Sequence, residues 1–77
     1  MPHVIIKMQS GRSDALKRKI TEDVTKALMA SANVSEASIS IAIEDVAASD
    51  WVEAVYRPDI LGRPETIIKQ PGYDPLR

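Results

Sequence analysis

Residues 38–44 read SISIAIE, with Ile39, Ile41 and Ile43 alternating against Ser40, Ala42 and Glu44. A period of two in β-branched company is the signature of a strand with one face turned away from water. The same period occurs upstream, where Val4, Ile6 and Met8 alternate with His3, Ile5 and Lys7, and it predicts a strand over residues 3–8. Between the two runs lies QSGRSD, a turn sequence in which Ser13 is a good helix N-cap and Asp14 suits a first turn. Leu16, Ile20, Val24, Ala27 and Leu28 then recur on one helical face, with Lys17, Arg18, Glu22, Asp23 and Lys26 opposite. The spacing predicts a helix over residues 14–31, closed by Asn33. Strand, long helix and strand make a βαβ unit, whose two strands run parallel with a right-handed crossover. The fold class is α+β.

The remainder, residues 49–77, reads as a C-terminal extension within a single domain spanning residues 1–77. SDWVEAVYRPD predicts a short helix that starts at Ser49 and stops before Pro58, and RPETIIKQPG a second, with Pro64 in its first turn and Gly72 past its end. Two strands are too few to stand alone. A 77-residue chain also has a thin core, and with no cysteine and one histidine it can draw on no disulfide, thiolate zinc site or histidine cluster. Oligomerisation is the remaining common remedy, and pairing with a second copy would complete the sheet. Ten basic and eleven acidic residues give a net charge of −1, which leaves no electrostatic footprint for nucleic acid or an anionic membrane. Without an apolar run of the ~20 residues a span needs, or a leader pattern, the expected location is the cytoplasm.

Few residues invite chemistry. The three glycines are scattered, so no phosphate loop forms, and no metal-ligand spacing occurs. His3 and Lys7 read as strand-face residues, and Arg57, Arg63, Lys69, Tyr56 and Tyr73 as secondary donors at best. Pro2 is different. At the start of a strand proline is tolerated because its missing N–H costs nothing there. If Met1 is removed, however, Pro2 exposes a secondary amine, a base that no internal residue offers. An α-amino group has a reference pKa of about 8, so a site must lower it, by apolar burial or nearby cations, before it serves as a base at neutrality.

The ordered set of Pro2 ahead of a strand, GRSDALKRKITEDVTKAL (residues 11–28), SISIAIEDV and Trp51 resembles the 4-oxalocrotonate tautomerase family over residues 2–51. The segment IIKQPGY (residues 67–73) resembles the longer phenylpyruvate/enol tautomerase branch. The resemblance implies a βαβ tautomerase fold and a cofactor-free, metal-free isomerase that interconverts enol and keto forms of a 2-oxo acid. It implies Pro2 as catalytic base and Arg12 as the group that binds the substrate carboxylate, by a two-point contact suited to a guanidinium. Trp51 stands where shorter members have phenylalanine, which makes it a catalytic candidate combining an apolar wall with an indole N–H for the substrate. Ser40 occupies a substrate-binding position where shorter members carry arginine, so it brings a hydroxyl and no charge. The longer branch further implies a homodimer where shorter members form hexamers. Two other readings stay open: a hydratase or dehalogenase of the same superfamily with protonated Pro2 as acid, and a non-catalytic oligomerisation or binding module.

Overall fold

A computed structural model describes residues 1–77. Strand β1 (His3–Gln9), helix α1 (Asp14–Ala32) and strand β2 (Ser40–Val46) follow in order, and the strands pair in parallel as a two-stranded sheet. The register sets Val4 beside Ile41 and Ile6 beside Ile43, while His3 lies beside Ser40, Ile5 beside Ala42 and Lys7 beside Glu44. Side chains alternate across a strand, so these two sets occupy opposite faces of the sheet. Lys17 on α1 bonds Asp45 at 2.6 Å, and Asp45 has the parity of Ile41 and Ile43. Helix α1 therefore covers that face and leaves His3, Ile5 and Lys7 on the other.

The local chemistry of α1 follows the sequence closely. Gly11 takes a φ of +118°, a conformation that penalises any Cβ, and the chain then enters the helix at Ser13, whose Oγ accepts from the Leu16 N–H at 3.1 Å. Asn33 ends the helix in the left-handed region at φ 55°. Ile20, Val24 and Leu28 are half-buried as the periodicity requires, whereas Leu16 and Ala27 stay exposed, and no residue of α1 is fully buried. Since the Ser13 hydroxyl is the side-chain cap, Ser13→Ala should destabilise the protein by about 1 kcal/mol in a urea titration.

Strand β2 starts at Ser40 rather than at Ser38. Glu36–Ser38 form a 3-10 turn in which the Ser38 hydroxyl donates to the Ser35 carbonyl at 2.7 Å, a local bond that competes with sheet pairing. At its other end the ladder runs on to Val46, whose carbonyl accepts from Ser10 N–H at 3.0 Å.

The extension departs most from expectation. In place of a helix stopped before Pro58, a ten-residue π-helical segment (Val52–Leu61) runs through that proline, preceded by a 3-10 turn at Ala48–Asp50. Proline has no N–H for an i→i−4 bond and its ring collides with the carbonyl four residues back. The segment is closed at π spacing by Gly62 N–H to Arg57 O at 2.8 Å; Pro58 still donates no bond, and the wider spacing takes its ring off the carbonyl four residues back. Gly62 ends the segment because a Cβ there would lie 2.7 Å from the Pro58 carbonyl oxygen. The second expected helix is only a 3-10 turn, Pro64–Thr66, and the chain beyond it runs without regular structure.

Val55 and Tyr56, both on the π-helical segment, are the two buried residues of the chain. The accessible surface is 5708 Å², against about 4,700 Å² for a compact monomer of this mass. The radius of gyration is 14.1 Å, against about 11.5 Å for a compact domain of this length. Ile5, Leu61 and Ile68 are 54%, 48% and 97% exposed. One chain thus leaves apolar surface in water that a partner copy would cover. No helix is long and apolar enough to cross a membrane.

Candidate active site

Pro2 is half-buried where β1 begins, and its carbonyl accepts from the Ser40 N–H at 3.2 Å. That bond ties the residue to the sheet, whereas Met1 is fully exposed. While Met1 is attached the Pro2 nitrogen is an amide; removal of this accessible residue would free an amine at a fixed place. Ser40 also meets His3 across the ladder, with Oγ 2.7 Å from Nδ1. Ser40 is therefore paired with an imidazole adjacent in sequence to Pro2. On its strand face His3 reads from the sequence as a surface or interface residue, and the one available signal was its parity with Ser40 in a parallel register.

The other site residues gather at the far end of β1. A cleft of about 420 Å³ is lined by Lys7, Met8, Gln9, Arg12, Trp51 and Tyr73, among others. Arg12 reaches it from the turn after β1 and donates from Nη1 to the Gln9 carbonyl at 2.9 Å, which leaves most of its exposed guanidinium donors uncommitted. Trp51 arrives from the start of the extension, half-buried, and its indole Nε1–H donates to the Tyr73 hydroxyl at 3.0 Å. The indole donor expected to face substrate is thus held by another side chain. Tyr73, in turn, packs on Tyr56 with ring centroids 5.9 Å apart at 45°.

Trp51 and Lys7 also line a second cleft of about 400 Å³ with Ile5, Val55, Asp59 and Ile60. Lys7 Nζ donates to Asp59 Oδ2 at 2.6 Å, tying β1 to the π-helical segment. That hydrogen bond, with the negative charges of Asp59 and Glu44, holds the Lys7 ammonium above its ordinary pKa despite partial desolvation. Lys7 is consequently a fixed cation between the two clefts, a role its place on a strand face gave no reason to expect.

Arg12 and Trp51 share one cleft, then, while Pro2 and Ser40 sit together at the opposite end of the sheet. Six strand steps from His3 to Gln9 at about 3.3 Å each put Pro2 and Arg12 roughly 20 Å apart within one chain. No small substrate spans that gap.

Comparison with known proteins supplies the chemistry. Residues 2–57 match the family model described as tautomerase enzyme. The chain belongs to the tautomerase family. The tautomerase is 38% identical over 76 residues to a probable tautomerase of Xylella fastidiosa (strain 9a5c), covering 99% of this chain and 93% of the relative. It is 34% identical over 74 residues to tautomerase PptA of Escherichia coli (strain SMS-3-5 / SECEC), covering 95% and 97%. Among solved structures it is similar to YwhB, a homologue of 4-oxalocrotonate tautomerase, with a TM-score of 0.58 and 39% identity over 60% of this chain and 75% of that one. The βαβ arrangement of the tautomerase is that of the family, and membership makes it an isomerase acting on a small molecule.

Proposed function

We propose that the protein is a homodimeric keto–enol tautomerase of 2-oxo acids of the phenylpyruvate or dienol type, with Pro2 as its base once Met1 is removed. The free amine takes the enol hydroxyl proton, the electron pair moves through the enol to the α-carbon, and the pyrrolidinium returns the proton to that carbon. Atoms and charge balance without a cofactor. Arg12 holds the carboxylate through paired N–H bonds, and Trp51 walls the ring side of the cleft and excludes water. Ser40 lies with His3 beside the base and acts on the substrate through its hydroxyl. The observation that carries this reading is the cleft that joins Arg12 to Trp51 in a chain whose family match begins at Pro2. The roughly 20 Å between Pro2 and Arg12 within one chain supports a site shared by two subunits, the Pro2 of one facing the cleft of the other.

Intact-mass measurement followed by ketonisation assays on enol phenylpyruvate and a 2-hydroxydienoate tests the proposal. The expected result is a chain lacking Met1 that ketonises at least one of them, with a Pro2 amine titrating below 7 by nitrogen NMR, since a general base must be largely free at neutrality. A chain that keeps Met1 would remove the base, and an amine titrating above about 8 would favour the hydratase-type acid.

A further inference from the structure

The bond between Trp51 and Tyr73 has a fixed polarity. Indole Nε1–H is a donor and never an acceptor, so the phenol oxygen must accept at 3.0 Å. The Tyr73 proton then points elsewhere, and within the chain the phenol makes no hydrogen bond in which it donates. Accepting a hydrogen bond polarises the O–H and strengthens it as a donor. The ring is held from its other side by Tyr56, which is 6% exposed, while Tyr73 itself remains 47% exposed and lines the Arg12 cleft. An unspent donor is therefore available on the wall of the cleft that contains the guanidinium. A cleft of about 420 Å³ is of the size that small-molecule sites take, and Trp51, Met8 and Val52 give it an apolar wall.

We infer that the Tyr73 hydroxyl, positioned by Trp51, is the specificity-determining donor to the 2-oxygen of an aryl 2-oxo acid whose carboxylate lies on Arg12. The inference rests on the proposed function for its substrate class. It assigns to a tail residue a hydrogen bond that Ser40 of the same chain, at the other end of the strand, is too far away to give. As a neutral donor Tyr73 selects for an oxygen on the second carbon. Arg12 alone selects only for the carboxylate.

The test uses two unreactive probes. Phenylglyoxylate has a carboxylate and a 2-oxo group but no hydrogen on an α-carbon, so it cannot enolise, while phenylacetate lacks the oxo group. Binding is followed by the indole N–H cross-peak in proton–nitrogen NMR, which is unambiguous because Trp51 is the one tryptophan. Wild-type protein should prefer phenylglyoxylate, and Tyr73→Phe, which keeps the ring on Tyr56, should weaken it about 3- to 10-fold while leaving phenylacetate unchanged. Trp51→Phe, which removes the orienting donor along with the indole signal and is therefore followed by titration calorimetry, should lose part of the same preference. Unchanged phenylglyoxylate affinity in Tyr73→Phe overturns the inference. Equal weakening of both probes, which would reveal a packing role only, overturns it too, as does the absence of phenylglyoxylate binding to wild-type protein. Should the Tyr73-dependent preference appear while no enol is ketonised, the catalytic reading fails and the binding assignment stands.

Discussion

Pro2→Ala lowers kcat/KM for enol ketonisation by about 10²- to 10³-fold while the protein keeps its fold. General-base catalysis of this kind is worth about 10²- to 10⁴-fold, and alanine retains a weaker version of it through a primary amine. The fold is indifferent to the change because the contact that fixes residue 2 uses its carbonyl, the acceptor for Ser40 N–H, and not the pyrrolidine ring. Circular dichroism and sedimentation should match wild type. A variant that carries an uncleaved residue ahead of Pro2 should fall further still, since an amide nitrogen has no usable basicity. Activity within threefold of wild type in Pro2→Ala would transfer the proton shuttle to another group, with His3, 2.7 Å from Ser40, the first to consider.

Thermal stability depends on protein concentration. Two buried residues cannot hold 77 in place, and roughly 1,000 Å² of accessible surface beyond that of a compact chain asks for a partner. For a dimer that unfolds to monomers, mass action over a hundredfold concentration range is worth about 2.7 kcal/mol, or roughly 5–10 °C in Tm at this size. Melts at 2 and 200 μM should differ by that amount, and sedimentation should report a species of twice 8.5 kDa. A cooperative melt that does not move with concentration, together with an 8.5 kDa species, would show that the chain folds alone and that Pro2 and Arg12 act apart. A hexamer would preserve the need for assembly and contradict the homodimer that resemblance to the longer branch implies.

The βαβ unit was legible because each of its signals is local. Alternating isoleucines, a serine cap at Ser13 and an asparagine at Asn33 act through neighbours a few residues away, and the structure places them as the periodicity requires. The start of β2 was misplaced by two residues because the Ser38 hydroxyl and N–H both donate to the Ser35 carbonyl, a preference that alternation alone does not reveal. The extension was harder for a different reason. Pro58 signals the end of an α-helix, but a chain can widen to π spacing when Gly62 permits close approach, and neither residue alone discloses that choice. Of the site, Arg12 and Trp51 were found together through resemblance to a family. Tyr73 was read only as a secondary donor because its partner lies 22 residues away and no period connects them.

Strand β1 also acts as a ruler. Pro2 precedes its first residue and Arg12 follows its last by three, so the spacing between the proposed base and the guanidinium within each chain is counted out in residues rather than adjusted by side chains. Inserting one residue in β1 would lengthen the ruler by about 3.3 Å and, because the side-chain period is two, would exchange the faces of everything beyond the insertion. Lys7 would lose Asp59, and the cleft would lose its wall. Natural variation in this protein should therefore leave the length of β1 untouched and retune substrate choice through the tail around Tyr73, where a shift of backbone disturbs no sheet.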